Sequence, residues 1–469
     1  MGRGVLNRLI AVPRLVIAGT QSGVGKTTIV SGLLSELRLR GQQVQSYKVG
    51  PDYIDPGYHA LASGRPCHNL DSWLVPTERL LSIFEQTSRG MDIAVVEGVM
   101  GLYDGGRGGV ASTAAIARLL RAPVVLVVNC RSAGESIAAV VLGFQKYDPE
   151  VRLAGVILNQ IGSDSHEQMV TEALARIGVR VLGVIRRTES LKVPERHLGL
   201  LPVTENPAET VLPDIHAAIA GGLDIAALLE LAAQAEPLEL AAEPPLPAQR
   251  SCRIGVARDE AFSFYYPESL RVLEEQGAAI VPFSPLRDPK LPDVDGLLFG
   301  GGFPEMFLAQ LAANESMRQD IRAAAQAGVP IAAECGGYMY LCRRVASFDG
   351  EEYPMTGLIP QVCRMEKKLQ TVGYVEATAL ADNVFCAAGE TLRGHEFHFS
   401  SMTADGSDEA VTPAFRFRKN RTGAQYPAGY VDGNVLASYL HIHFAGNPAA
   451  ARRFVGCCAE HRQRTEGSR

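Results

Sequence analysis

The segment Gly19-Thr-Gln-Ser-Gly23-Val-Gly25-Lys26-Thr27-Thr28 restricts this chain more than any other. It lies between an apolar run, RLVIAG from 14, and a stretch with a helical apolar stripe, TTIVSGLLSELRLRG. A strand, a glycine loop and a helix in that order turn backbone amides toward phosphate oxygens at a helix N-terminus, where the lysine reaches the β and γ phosphates. On this reading Gly23, Gly25, Lys26, Thr27 and Thr28 cradle ATP, and the Thr27 hydroxyl serves Mg²⁺. The first glycine is displaced: Thr20 stands where the usual pattern has glycine, and Gly19 lies one residue earlier.

Apolar runs alternate with helix-like segments through the first part: RLVIAG at 14, QVQSYKV at 43, DIAVVEG at 92, PVVLVVN at 123 and LAGVILN at 153. The alternation predicts βαβ units around a mainly parallel sheet. A second series begins with RIGVA at 253 and continues through AAIVPFS, DGLLFGGG and PIAAECGG to a single strand, VLASYLHIHF, from 435. At 469 residues two domains are expected. Between the series, AAQAEPLELAAEPPLPAQR accumulates proline and glutamate and loses strand periodicity. The expected division is therefore an α/β P-loop domain over 1–231, a linker over 232–250, and a second, flavodoxin-like α/β domain over 251–469.

Composition narrows the partners. Mixed basic and acidic residues, 45 against 51, leave a net charge of −6 and no footprint for a nucleic-acid backbone. Nine cysteines without a CxxC pair read as reduced thiols, and no uncharged run approaches the ~20 residues of a membrane span. A cytoplasmic protein that binds neither nucleic acid nor membrane is expected; a homodimer is compatible with this reading.

Two further carboxylates suit the P-loop. Glu97 ends the strand DIAVVEG, where a carboxylate at the C-terminal edge beside a P-loop is placed to hold Mg²⁺. Asp104 sits in the glycine-flanked loop GLYDGGRGG. The stretch from Tyr47 to His59, YKVGPDYIDPGYH, follows another strand, and such strand-end loops face the ligand in an open α/β sheet. Within it Lys48 can steady an anionic intermediate, and Asp52 and Asp55 can bind Mg²⁺ or orient an acceptor.

The GTxxxxGKT form of the glycine loop resembles the dethiobiotin-synthetase branch of P-loop enzymes, whose members phosphorylate a carboxylate or carbamate. KVGPDYIDPGYHALASGRPCHNLDSWL, 48–74, together with VEGVMGLYDG, 96–105, is similar to the cobyrinic acid a,c-diamide synthase family. The resemblance runs from about residue 14 to 455. It implies that Asp52, Tyr53, Ile54, Glu97 and Asp104 activate and position corrinoid carboxylates, and that Asn159 lies near the adenine. It further implies ATP-dependent amidation of the a and c acetates of cobyrinic acid with glutamine as nitrogen source, in cobalamin biosynthesis. Hydrogenobyrinic acid and nickel sirohydrochlorin are amidated by related enzymes and remain alternative substrates. A rival of another class is a nucleotide-dependent regulatory module with a degenerate amidotransferase domain; intact Lys26, Glu97, Cys335 and His441 argue against it. CTP synthase shares the two-domain plan but not the PDYIDPGYH loop.

The second domain carries its own chemistry. In IAAECGGY, Cys335 stands between an apolar strand and a helix, a turn that exposes a side chain at a helix N-terminus and favours thiolate. Cys335 is the expected nucleophile. VLASYLHIHF offers His441 and His443, expected on one face of their strand. Resemblance to the triad-type amidotransferases makes His441 the base; those enzymes commonly carry glutamate two residues on, where this chain has His443, so the third member is open. The loop Gly300-Gly301-Gly302-Phe303-Pro304-Glu305 supplies backbone NH groups from Gly301 and Gly302, which with Gly336 form an oxyanion hole. HEFH at 395–398 lacks the spacing of a zinc-protease helix.

Overall fold

The computed structural model describes residues 8–187, 195–196, 199–200, 208–240, 250–404 and 411–467. The chain divides into two compact units, Met1–Pro244 and Pro245–Arg469.

In the first unit seven parallel strands form one sheet: β1 (Arg14–Gly19), β2 (Val44–Val49), β3 (His68–Leu70), β4 (Ile93–Glu97), β5 (Val124–Asn129), β6 (Leu153–Ile161) and β7 (Val181–Arg186). Their spatial order is β3-β2-β4-β1-β5-β6-β7. Every residue of β1, β2 and β4 is buried, as strands become when helices cover both sheet faces, and in β2 this burial takes in Gln45, Ser46 and Lys48. Helix α1 (Lys26–Leu39) lays Ile29, Val30, Leu33, Leu34 and Leu37 on the sheet against Ile17, Val95 and Val127. Burying each such side chain contributes roughly 1.5–3 kcal/mol. Because all strands run the same way, Gly19, Val49, Glu97, Asn129 and Asn159 open onto one edge. The chain reverses its winding direction at β1, and the glycine loop leaves β1 at that point.

The segment expected as a linker from 232 is in part structured. A helix runs from Ile225 to Ala233, and Leu238–Leu240 pairs antiparallel with Arg8–Ile10. Leu238 and Leu240 are buried on either side of exposed Glu239, a short alternation hidden within proline- and glutamate-rich composition. Residues 241–249 lie outside the described residues.

The second unit contains a six-stranded sheet. Its parallel part comprises β8 (Cys252–Ala257), β9 (Ala278–Phe283), β10 (Gly296–Phe299), β11 (Ile331–Glu334) and Val435–Ser438, in the order β9-β8-β10-β11 followed by Val435–Ser438. Tyr430–Asp432 adds an antiparallel edge. Two further sheets, drawn almost entirely from residues 342–428, have no counterpart in the expected alternation. One has four strands, and the other is a five-stranded antiparallel sheet that includes Thr371–Ala379 and Thr391–His398.

VLASYLHIHF is not one strand. It leaves the parallel sheet at Ser438, whose Oγ accepts the Leu440 N–H at 3.0 Å, and His441–Ile442 then pairs with Gly394–His395 of the five-stranded sheet. A side chain thus takes a ladder hydrogen bond, and the chain changes sheets immediately before His441.

Candidate active sites

The glycine loop of the first unit is fixed from β6. Asn159 Nδ2 donates to the Val24 carbonyl at 2.8 Å, and a Cβ on Gly25 would lie 2.5 Å from that same nitrogen. Gly25 also has φ +90°, so both backbone and space require glycine there. Asn159, which resemblance put near the adenine, braces the loop itself. Gly23 is exposed at φ +74°, and Thr27 and Thr28 lie in the first turn of α1. Lys26 Nζ donates to the Met100 carbonyl at 2.7 Å. Burial lowers its pKa from the ordinary lysine value.

Beside the loop lies a dense group of ions. Thr27 Oγ1 is 2.9 Å from Glu97 Oε1 and 3.1 Å from Asp55 Oδ2. Lys48 Nζ donates to those same two oxygens, at 2.8 and 2.6 Å, and stands 3.8 Å from Asp52 Oδ2. Helix α2 (Asp55–Ser63) carries His59 one turn beyond Asp55, and its Nε2 bonds Glu97 Oε2 while its Nδ1 meets Ser31 Oγ at 3.3 Å. Glu97 and His59 are fully buried.

Burial alone would raise the Glu97 pKa, but Lys48 and His59 hold it below the usual carboxylate range. Burial alone would lower Lys48, but Asp55, Glu97 and Asp52 hold it above the ordinary lysine value. Asp52 is pushed up to about 7 by burial and by Asp55, against Lys48. Its Oδ1 also accepts the N–H groups of Ile54 and Asp55, which fixes the turn holding half-buried Tyr53 and Ile54 before α2. Asp104 is exposed and accepts the Gly101 N–H at 2.9 Å, folding its loop back.

The structure therefore brings Thr27, Lys48, Asp55 and Glu97 together. Asp55, not Asp52, is the carboxylate bonded to Thr27. His59 was not singled out from the sequence, although it lies four residues after Asp55 on one helix face.

In the second unit Cys335 links β11 to a short helix, Gly336–Leu341, with φ +49° and ψ −103°. Positive φ at a residue other than glycine is strained and marks an elbow that turns the side chain out of the strand path. The strain is held by Cys335 N–H bonding the Ser438 carbonyl and by Gly337 N–H bonding the Gly300 carbonyl, at 2.8 and 3.0 Å.

The thiol donates toward the Phe397 carbonyl at 3.9 Å. Its pKa departs from the thiolate expectation. Burial holds it well above the ordinary cysteine value, Glu305 adds to this, and the Gly336 amide only opposes it. A buried thiol loses more from desolvation than a short helix returns.

His441 is buried, and its Nδ1 lies 3.7 Å from Glu334 Oε2. Its ring stacks on His395 at 4.9 Å. A Cβ on Gly301 would lie 2.7 Å from His441 Cε1, so glycine there admits the ring. Burial, with His398 adding, drops the His441 pKa to about 3, and the ring is neutral at rest. The Gly302 nitrogen stands 3.1 Å from where a Gly336 Cβ would be, so the glycine loop and the elbow meet.

His443 does not share this site. It follows the strand, stacks on Tyr266 at 4.6 Å, and its Nδ1 accepts the Ala445 N–H. HEFH is divided as well: His395 meets His441, Glu396 accepts from Tyr426, and His398 stacks on Tyr439. Glu334 and His395 were both missed. Glu334 had a readable signal, a charge ending an apolar strand; His395 reaches the site only through strand pairing.

Residues 15–201 match the family model for the CobQ/CobB/MinD/ParA nucleotide binding domain, and residues 253–449 match that for the CobB/CobQ-like glutamine amidotransferase domain. The chain is 45% identical to a hydrogenobyrinate a,c-diamide synthase of Streptomyces coelicolor, over 96% of this chain and 98% of that one. It is 46% identical to a cobyrinate a,c-diamide synthase of Dehalococcoides mccartyi (94% and 97% covered) and 43% to one of Salmonella typhimurium (94% and 98%).

Proposed function

The chain belongs to the cobyrinate a,c-diamide synthase family, and from that premise we propose that it converts the a and c acetate carboxylates of cobyrinate or hydrogenobyrinate to amides, using ATP and glutamine. The observation that carries this reading is the junction of the P-loop hydroxyl, Thr27, with Glu97 and Asp55 at the sheet edge, in a chain that also holds the Cys335 elbow.

A carboxylate resists ammonia because it is anionic and its oxygen leaves poorly. Its oxygen attacks the γ-phosphorus of ATP held by Gly23, Gly25, Lys26, Thr27 and Thr28, and ADP leaves. As ATP binds, Lys26 exchanges the Met100 carbonyl for phosphate oxygen. Asp52, Tyr53, Ile54 and Asp104 position the acceptor, and Lys48 balances charge developing on it. Ammonia adds to the acyl phosphate, phosphate departs, and a proton is lost as the amide forms.

The cluster suits Mg²⁺. Thr27, Glu97 and Asp55 present hard oxygens; of Asp52 and Asp55, both offered by the sequence, Asp55 is the one bonded to Thr27. Among the described residues no group of three His, Cys, Asp or Glu is arranged to hold a metal ion. Thr27, Glu97 and Asp55 would hold the ion, which would supply positive charge against the transferring phosphates.

Nitrogen comes from the second unit. Cys335 passes its thiol proton to His441 and attacks the glutamine amide carbon while Gly302 and Gly336 N–H groups face the oxyanion. The C–N bond breaks, His441 returns the proton to the leaving ammonia, and water hydrolyses the thioester to glutamate. No helix among the described residues is long and apolar enough to cross a membrane. The free thiols and the use of ATP support a cytoplasmic reaction on this reading.

The test is mass spectrometry after cobyrinic acid, hydrogenobyrinic acid and nickel sirohydrochlorin are offered in parallel with MgATP and glutamine. Two successive carboxyl-to-amide conversions on one of the first two are expected. Amidation of nickel sirohydrochlorin alone, or of none of the three, contradicts the proposal.

A further inference from the structure

We infer that Glu334, the residue immediately before the nucleophile, is the positioning residue for His441 and completes the site in place of the carboxylate expected two residues beyond the base. This rests on the glutaminase reading above.

Three observations converge. Glu334 Oε2 lies 3.7 Å from His441 Nδ1, the ring nitrogen that a general base turns away from its nucleophile. The Ile442 backbone N–H also faces Glu334 and favours its ionised form, so one carboxylate meets both the ring and the short strand carrying it. The residue two beyond the base, His443, is stacked on Tyr266 and engaged with Ala445. A contact of 3.7 Å exceeds hydrogen-bond length; such contacts often tighten in the reacting complex, where an imidazolium forms beside the carboxylate.

The placement follows from the elbow. In β11 Glu334 is still in register with Ser438, so its side chain leaves the sheet as a strand residue does. Cys335, at positive φ, turns off that path. Consecutive residues therefore serve opposite ends of the base: Glu334 orders Nδ1, and Nε2 is left to receive the thiol proton. With a carboxylate on Nδ1 the neutral ring carries its proton there.

Burial pushes Glu334 up to about 8. While Glu334 is protonated its proton faces Nδ1, and Nε2 then carries the ring hydrogen and cannot accept from Cys335. Once it ionises, the productive tautomer is favoured. The groups facing this pair are Cys335 and Tyr265 on the Glu334 side and His395 and His398 on the neighbouring strand. Glutamine hydrolysis is expected to rise with pH through the Glu334 titration.

The experiment compares wild type, Glu334→Gln, Glu334→Asp and His441→Asn, and adds Glu334→Gln to His441→Asn. In Glu334→Gln the glutaminase kcat falls about 10²- to 10⁴-fold, KM for glutamine stays within about threefold, and the alkaline rise disappears. Glu334→Asp recovers part of the rate with the rise moved to lower pH. In the His441→Asn background the Glu334→Gln change costs almost nothing more, because both act through one ring.

An equal loss in both backgrounds assigns Glu334 a structural role and overturns the inference. So does a Glu334→Asp enzyme no better than Glu334→Gln, or an unchanged pH profile in Glu334→Gln. Wild type that does not hydrolyse glutamine sinks the glutaminase reading instead, which separates the two failures. Ammonium-driven synthesis, unchanged in every variant, reports an intact first unit.

Discussion

The two units store charge in opposite ways. In the first, Lys48, Asp55 and Glu97 are ions at rest, packed within hydrogen-bond distance and braced by His59. In the second, burial holds the Cys335 thiol protonated and the His441 and His395 rings neutral. The contrast matches the two reactions. Phosphoryl transfer brings several negative charges to one place, so the counter-charges are built in before substrate arrives. On the proposed mechanism glutamine is neutral at the bond that breaks, so ions would form only during turnover, by a proton moving from sulfur to imidazole.

If the units divide the chemistry in this way, single changes separate them. Lys26→Ala is expected to lower synthesis about a thousandfold or more from glutamine or ammonium while glutamine hydrolysis continues. Full synthesis in that variant places ATP elsewhere. Cys335→Ala is expected to remove glutamine-dependent synthesis and leave the ammonium-dependent rate within about twofold of wild type. Loss of the ammonium rate as well breaks the division.

A stability difference sharpens the comparison. Glu97 is fully buried, so His59→Ala strips one side of a buried ion and should destabilise the first unit by roughly 3–5 kcal/mol. Hydrogen exchange, read unit by unit, checks this. Equal protection in wild type and variant means that Lys48 and Thr27 suffice to hold Glu97.

The smallest effect concerns acid. Unfolded histidine titrates near 6.5, whereas burial drops folded His441 to about 3. Between these values the unfolded state binds a proton that the folded state does not. The contribution of this ring to stability is thus present above 6.5 and is lost as pH falls toward 3. His441→Asn should flatten part of the acid destabilisation of the second unit and leave the first unchanged; an identical pH slope in variant and wild type shows that the ring is already charged.

Much of this was legible in the sequence because the signals are local. The glycine loop, its lysine and Glu97 sit at one strand edge by the rule of parallel sheets, and the strands β1, β4 and β5 are largely apolar runs, whereas β2 buries Gln45, Ser46 and Lys48. Glu97 and Glu334 carry the same signal, a carboxylate closing an apolar strand, IAVVE and IAAE. Beside the glycine loop the first was read as functional; the second was overshadowed by the cysteine that follows it. His395 could not be read, since it meets His441 through antiparallel pairing of distant segments. The break at Ser438 was equally hidden, because a side-chain hydrogen bond ends the strand within an apolar run. The thiol expectation failed on magnitude: position at a helix start was visible, but full burial was not.

The most direct test of the central claim follows oxygen. Cobyrinate or hydrogenobyrinate with ¹⁸O-labelled carboxylates is incubated with MgATP and ammonium, using the Cys335→Ala protein so that the second unit takes no part. Activation by the first unit alone predicts one ¹⁸O in inorganic phosphate for each amide formed. Amide formed with unlabelled phosphate would contradict carboxylate activation through an acyl phosphate.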